Sequence, residues 1–171
     1  AGKAQTRAVK ADLGQTISNL DAFYLATRLR VSCELLNRRN VVNAHIQLAP
    51  VTPLVEVLSQ ADDTYLDKPF IAIYNQIYLA LSDPKEEVHY HRLKGLLREH
   101  AGLFKRKEAY QMYAYAQNYC IRKINGGVGA YLKELFILYQ DLLEQDILLD
   151  QGQLAHEHYK NIATVGMRLK E

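Results

Sequence analysis

A chain of 171 residues, 49% of them hydrophobic and 23% charged, is long and apolar enough to bury a core of its own. It has no apolar run of about eighteen residues, which excludes a membrane-spanning helix, and Ala1-Gly2-Lys3-Ala4-Gln5-Thr6-Arg7 lacks the apolar centre of a secretion signal. A net charge of +2, with no acidic or basic tail, argues against a surface given over to nucleic acid.

Apolar residues recur at helical spacing nearly throughout, and period-two alternation bounded by Asn-Gly or Asp-Gly turns is missing. A first helix is expected from about Asp21 to Arg39, with turns reaching back toward Lys3. Asp21 is its cap, and Phe23, Leu25, Leu29, Cys33 and Leu36 form its inward stripe. Pro50 and Pro53 interrupt the pattern and mark the longest connection. A short second helix follows over Thr52–Gln60, with Thr52 as cap and Pro53 at its first position.

Asp67-Lys68-Pro69 opens a third helix through Phe70, Ile73, Tyr74, Ile77 and Leu81. Ser82-Asp83-Pro84 closes it and caps a fourth, with Glu86 placed three residues after Asp83 as in a capping box. That helix runs through Val88, Leu93, Leu96 and Leu97 to about Gly102. A fifth helix spans about Arg106 to Ile124 and stops at Asn125-Gly126-Gly127. A sixth runs from about Gly129 to Gln145 with Leu132, Leu135, Phe136, Tyr139 and Leu143 inward. A seventh starts near Gln153 and still reads as helix at Lys170-Glu171. Its stripe lacks a stop signal, so the expectation is a piece of a longer solenoid, or a last helix packed on another molecule, such as a second copy; the competing reading is a polar terminal cap.

Aromatic-rich helices therefore return at intervals of roughly forty residues, a period of stacked helix pairs. The markers are Phe70-Ile71-Ala72-Ile73-Tyr74, Tyr110-Gln111-Met112-Tyr113-Ala114-Tyr115 and His158-Tyr159-Lys160-Asn161-Ile162. On Phe70, Tyr74 and Ala80, and again on Tyr131 and Tyr139, the pairs resemble tetratricopeptide-like proteins, and more loosely other α-α superhelices. No Leu-Gly pair follows these aromatics, and the longer period is closer to HEAT-type repeats. The resemblance implies an all-α fold, a right-handed α-α superhelix (solenoid) of about seven antiparallel helices, over one domain spanning 1–171. It implies architecture alone and assigns no binding residue.

Chemistry-bearing motifs are sparse. His89 and His91, like His156 and His158, are two apart and diverge by about 200° on a helix, so neither pair clamps one ion. Glu86-Glu87-Val88-His89 holds a single Glu-x-x-His, half of a di-iron pattern whose other carboxylates are missing; Glu87 and His91 read instead as a surface pair one turn apart. Asn125-Gly126-Gly127-Val128-Gly129 joins two helices and reads as a turn, not a phosphate loop. Cys33 and Cys120, in apolar helical surroundings, read as buried thiols and favour a reducing, cytoplasmic setting. No catalytic residue, metal or cofactor is implied.

The basic clusters Arg28/Arg30, Arg38/Arg39, Lys105-Arg106-Lys107 and Arg122/Lys123, with Tyr110, Tyr113, Tyr115 and Tyr119, offer a base-stacking groove as a second reading. Tyrosines on more than one face of the fifth helix mark it as covered on both sides. The leading expectation is a non-enzymatic scaffold binding another protein or peptide along the first, third, fifth and seventh helices. Its contact residues are Tyr74, Tyr78, Tyr115, Asn118, Tyr119, Arg122 and Asn161.

Overall fold

The computed structural model describes residues 2–42 and 65–170, with side chains from 13 to 40 and from 65 to 170. The described residues are predominantly helical. Six α-helices appear among them: α1 (Gly2–Val42), α2 (Pro69–Ser82), α3 (Glu87–His100), α4 (Arg106–Asn125), α5 (Tyr131–Glu144) and α6 (His156–Arg168). A 3-10 turn (Ala101–Leu103) links α3 to α4, and a small hairpin of β1 (Leu149–Asp150) and β2 (Gln153–Leu154) links α5 to α6. The expected helix over Thr52–Gln60 lies outside the described residues. The chain divides into two compact units, Ala1–Asn75 and Gln76–Glu171.

In the first unit, α1 starts far earlier than Asp21, so Asp21 is an interior residue and not a cap. Its buried stripe is Ala22, Leu25, Leu29, Cys33 and Leu36, whereas Phe23 is 70% exposed. Helical geometry explains the correction: Phe23 sits about 100° from Ala22 and falls off a stripe that returns every third or fourth residue. The Cys33 thiol donates to the Tyr74 carbonyl at 3.3 Å, joining α1 to the first turns of α2. Pro69 begins α2 where its missing N–H is not needed.

The second unit is built from helices that pack on their neighbours in chain order, α3 on α4, α4 on α5 and α5 on α6. This is compatible with a helical-repeat architecture. As expected, α4 is covered on both sides: Ala109, Met112, Tyr113, Tyr115, Ala116, Tyr119 and Cys120 are all buried. Side chains also reach from α3 to α5. Tyr90 and Lys94 both bond Glu134, and Arg98 bonds Asp141, so contacts ascend together along two parallel helices. The α3 stripe is Tyr90, Leu93 and Leu97, with Val88 exposed. On α5 the buried apolar set is Tyr131, Leu135, Leu138, Tyr139 and Leu142; Leu132, Phe136 and Leu143 are only half-buried.

Turn chemistry sets the connections. Asp83 does not cap α3: its carboxylate accepts from the Lys85 N–H at 3.1 Å and its carbonyl from Glu86 at 3.2 Å, closing a Pro84 turn ahead of a helix that begins at Glu87. After α4, Gly127 takes φ +90°, and the bonds Val128 N–H to Lys123 and Gly127 N–H to Ile124 form a Schellman ending. The Gly cluster is thus a turn, as read. After α5, Asp146 adopts φ 57° and repeats the same bonds with Ile147 to Leu142 and Asp146 to Leu143. Gln151 and Gly152 then both hold positive φ, 51° and 78°, which gives the twisted two-residue turn of a tight hairpin. This hairpin displaces the expected start of the last helix from Gln153 to His156, and α6 ends at Arg168 with Leu169 as its C-cap.

Candidate binding surface

A part-buried polar assembly lies between α3, α4 and α5. Tyr90 and Tyr119 stack with centroids 4.9 Å apart, and Tyr131 stands edge-on to both at 5.5 and 5.7 Å. Tyr90 donates to Glu134 at 3.0 Å and receives the Cys120 thiol at 3.3 Å; Tyr119 donates to the Pro84 carbonyl at 2.9 Å. Lys94 reaches Glu134 at 2.5 Å and Lys123 reaches Glu87 at 2.7 Å. Glu87 therefore makes its ion pair across to α4, while His91 one turn on adds to Lys123 in holding its carboxyl low. Lys123 also lies over the rings of Tyr119 and Tyr131.

Burial governs the protonation of this assembly. It pushes the Tyr90, Tyr119 and Tyr131 hydroxyls above their ordinary value of 10.0, and the Cys120 thiol up to about 12. Burial raises the Cys33 thiol as well. Burial alone would raise Glu134, but Lys94 and Tyr90 outweigh it and hold the carboxyl below 4.5. The Lys123 ammonium holds Glu87 low in the same way. Thiols and phenols kept protonated are poor nucleophiles and poor bases at neutral pH, so the assembly is suited to fastening three helices rather than to acid–base work.

Of the expected contact residues, Tyr74, Tyr115 and Tyr119 are buried, so their rings are core and present nothing to a partner in this structure. The aromatic signal is the same for core and surface, because a ring's apolar area rewards burial in either setting. Tyr78 and Asn118 are half-buried. Arg122 is also half-buried, with one guanidinium nitrogen enclosed and without a hydrogen bond among the described residues. Asn161 is exposed and reaches the Tyr139 hydroxyl.

What the second unit does offer is a groove of about 350 Å³ lined by Arg106, Lys107, Tyr110, Ile147, Leu148, Asp150, Ala155 and His158. Its floor is the buried pair Ile147 and Leu148, delivered by the Schellman ending of α5. One wall is Tyr110 and His158, edge to face at 5.5 Å. The other is the hairpin, which Arg106 clamps to the start of α4 by donating to the Leu149 carbonyl and, at 2.8 Å, to the Asp150 carboxylate. Lys107 stands exposed at the rim and forms no ion pair among the described residues. The groove thus sets a cation beside an apolar, aromatic trough.

Sequence reasoning found the basic and aromatic wall, through Lys105-Arg106-Lys107 and Tyr110, but missed the floor and the hairpin. The missed signal was Gln151-Gly152, whose glycine accepts positive φ as readily as that of an Asn-Gly pair. A second cleft, of about 580 Å³, is lined by Arg98, Ile137, Gln140, Asp141, Glu144 and Gln145. Arg98 and Asp141 are already paired there at 2.8 Å, and Gln145 donates to Tyr113 at 2.8 Å, so its polar groups are largely occupied. Among the described residues no group of three or more His, Cys, Asp or Glu is placed to hold a metal ion. No helix among them is long and apolar enough to cross a membrane. Comparison of the chain with protein families, with curated proteins and with solved structures finds no match.

Proposed function

We propose that this chain is a non-enzymatic helical-repeat scaffold module that binds another protein through an extended peptide segment. The observation supporting this reading is the groove at the start of α4: a floor of the buried Ile147 and Leu148, an aromatic wall of Tyr110 and His158, and at its edge Lys107, which has no ion pair among the described residues. The preferred peptide carries an aromatic or aliphatic side chain for the floor, beside an acidic side chain or a free C-terminal carboxylate for Lys107. The superhelical arrangement belongs to the same proposal and is supported by helices that pack on their neighbours in chain order. Selection of a random peptide phage library on the immobilised chain tests it. Enriched peptides share that anchor-plus-carboxylate pattern and lose binding to Tyr110→Ala and to Lys107→Glu. No enrichment, or binding indifferent to both changes, defeats the reading.

A nucleic-acid-binding helical repeat is the second reading, favoured by the Lys105-Arg106-Lys107 run beside two rings. Several of the cations it needs are engaged elsewhere: Arg106 with Asp150, Lys123 with Glu87, Arg38 with Glu34. Fluorescence anisotropy with a labelled oligo-dT at low salt separates the two readings. Saturable binding that falls steeply with added salt supports nucleic acid.

A further inference from the structure

α1 is apolar on two nearly opposite sides. One side is the buried stripe from Ala22 to Leu36. On the other, Leu13, Ile17, Leu20, Tyr24 and Val31 are all between 46% and 64% exposed. With Thr27 these residues are spaced four, three, four, three and four apart, the alternation that keeps one seam facing a partner helix. At about 100° per residue, this seam centres about 150° away from the buried stripe. Single exposed leucines need no explanation, but six consecutive seam positions over more than five turns, five of them large and apolar, do.

We infer that this seam is the interface of a homodimer, in which α1 of one copy packs against α1 of a second copy in antiparallel orientation. The occupant follows from the seam's own complementarity. Set antiparallel about its centre, Leu13 lies opposite Val31, Ile17 opposite Thr27 and Leu20 opposite Tyr24 of the second copy, and every position is used. The flanking charges agree. Asp21 and Arg28 each follow a seam residue on the same edge, and an antiparallel pair brings that edge against itself, so Asp21 faces Arg28 of the second copy, twice by symmetry. A parallel pair instead sets Asp21 against Thr16 and Arg28 against Phe23, with no opposed charges. Because the opposite stripe is already buried, α1 is folded before it pairs, which removes the ordering cost a free helix of this length would carry. The last helix carries a shorter apolar exposure: α6 turns Val165 into its own unit, a side chain added at Gly166 would meet Phe136 at 3.4 Å, and Tyr159 and Met167 are its large exposed apolar side chains.

Sedimentation velocity of the 171-residue chain over a wide concentration range reads this directly. The wild type sediments as a dimer, and Leu20→Glu as a monomer with unchanged helical circular dichroism. A wild type that stays monomeric at every concentration, or a Leu20→Glu variant that stays dimeric, overturns the inference. Charge exchange tests the register without touching the seam: Asp21→Arg weakens the dimer about tenfold, and adding Arg28→Asp restores it. Failure of the second change to restore association counts against the pairing. Orientation is read by mixing Leu20→Cys with Tyr24→Cys chains, which form the mixed disulfide faster than either forms its own. Faster Leu20→Cys self-linking would show a parallel pair and overturn the arrangement.

Discussion

Along α1 several side-chain hydrogen bonds run between residues one turn apart: Gln15 with Asn19, Tyr24 with Arg28, Glu34 with Arg38, and Ser32 back to the Arg28 carbonyl, beside the long-range bond from Cys33 to Tyr74. Between α3, α4 and α5 they join residues distant in sequence, Cys120 to Tyr90 and Tyr90 to Glu134 among them. The first region satisfies itself locally and leaves an apolar seam over. The second spends its polar groups fastening helix to helix. A long helix made of local bonds keeps its shape whatever leans on it, whereas a bundle held by distant pairs depends on every helix being present.

Cutting into the bundle gives the largest expected effect. Leu97 is fully buried on α3, and Leu97→Ala costs about 2–5 kcal/mol in urea unfolding through lost burial and the cavity left behind. A loss under about 1 kcal/mol would show that this core collapses freely, and would weaken the contrast. Glu134→Gln comes next, at about 1–3 kcal/mol at neutral pH, because Lys94 and Tyr90 lose a charged acceptor.

The same carboxylate sharpens the contrast through pH. Its folded value lies below 4.5, so its contribution is complete above that value and lost as pH falls through the lower folded one. The acid limb of a stability–pH curve is therefore flatter in Glu134→Gln than in wild type. At the alkaline end the sign reverses. Tyr90, Tyr119 and Tyr131 are raised above 10.0, so their contribution is complete below pH 10 and declines as pH climbs through the raised values. Phenolate absorbance of these three rises together with unfolding rather than ahead of it.

Smaller changes probe the edges. Gly152→Ala, at φ +78°, costs about 1 kcal/mol and loosens the hairpin wall, so peptide binding falls more than stability does. Glu34→Gln removes an exposed pair one turn apart on α1 and shifts stability by at most about 0.5 kcal/mol. A larger effect there would mean that α1 is not held locally.

Helices were legible where periodicity and turn residues agreed. Pro69 and Asn125-Gly126-Gly127 placed the start of α2 and the end of α4, and tyrosines on several faces marked α4 as the covered helix. The start of α6 was not legible, because the hairpin rests on two positive-φ residues, one of them glutamine, and Asp146 ends α5 in a conformation usually left to glycine or asparagine. Phe23 was misplaced for a different reason. Its ring is apolar but falls off the three-and-four spacing of Ala22, Leu25, Leu29, Cys33 and Leu36, so hydrophobicity alone misplaces it where periodicity does not. Three of the seven expected contact residues, Tyr74, Tyr115 and Tyr119, carry rings apolar enough for a surface but lie in the core.

Each compact unit encloses one cysteine, Cys33 in the first and Cys120 in the second, and both are free. A thiol reagent added to native protein can modify either sulfur only while the surrounding packing is open, so the chain carries a built-in clock for each half. Mass spectrometry of the two labelled peptides, followed over time, gives the order in which the halves breathe, with no engineered probe.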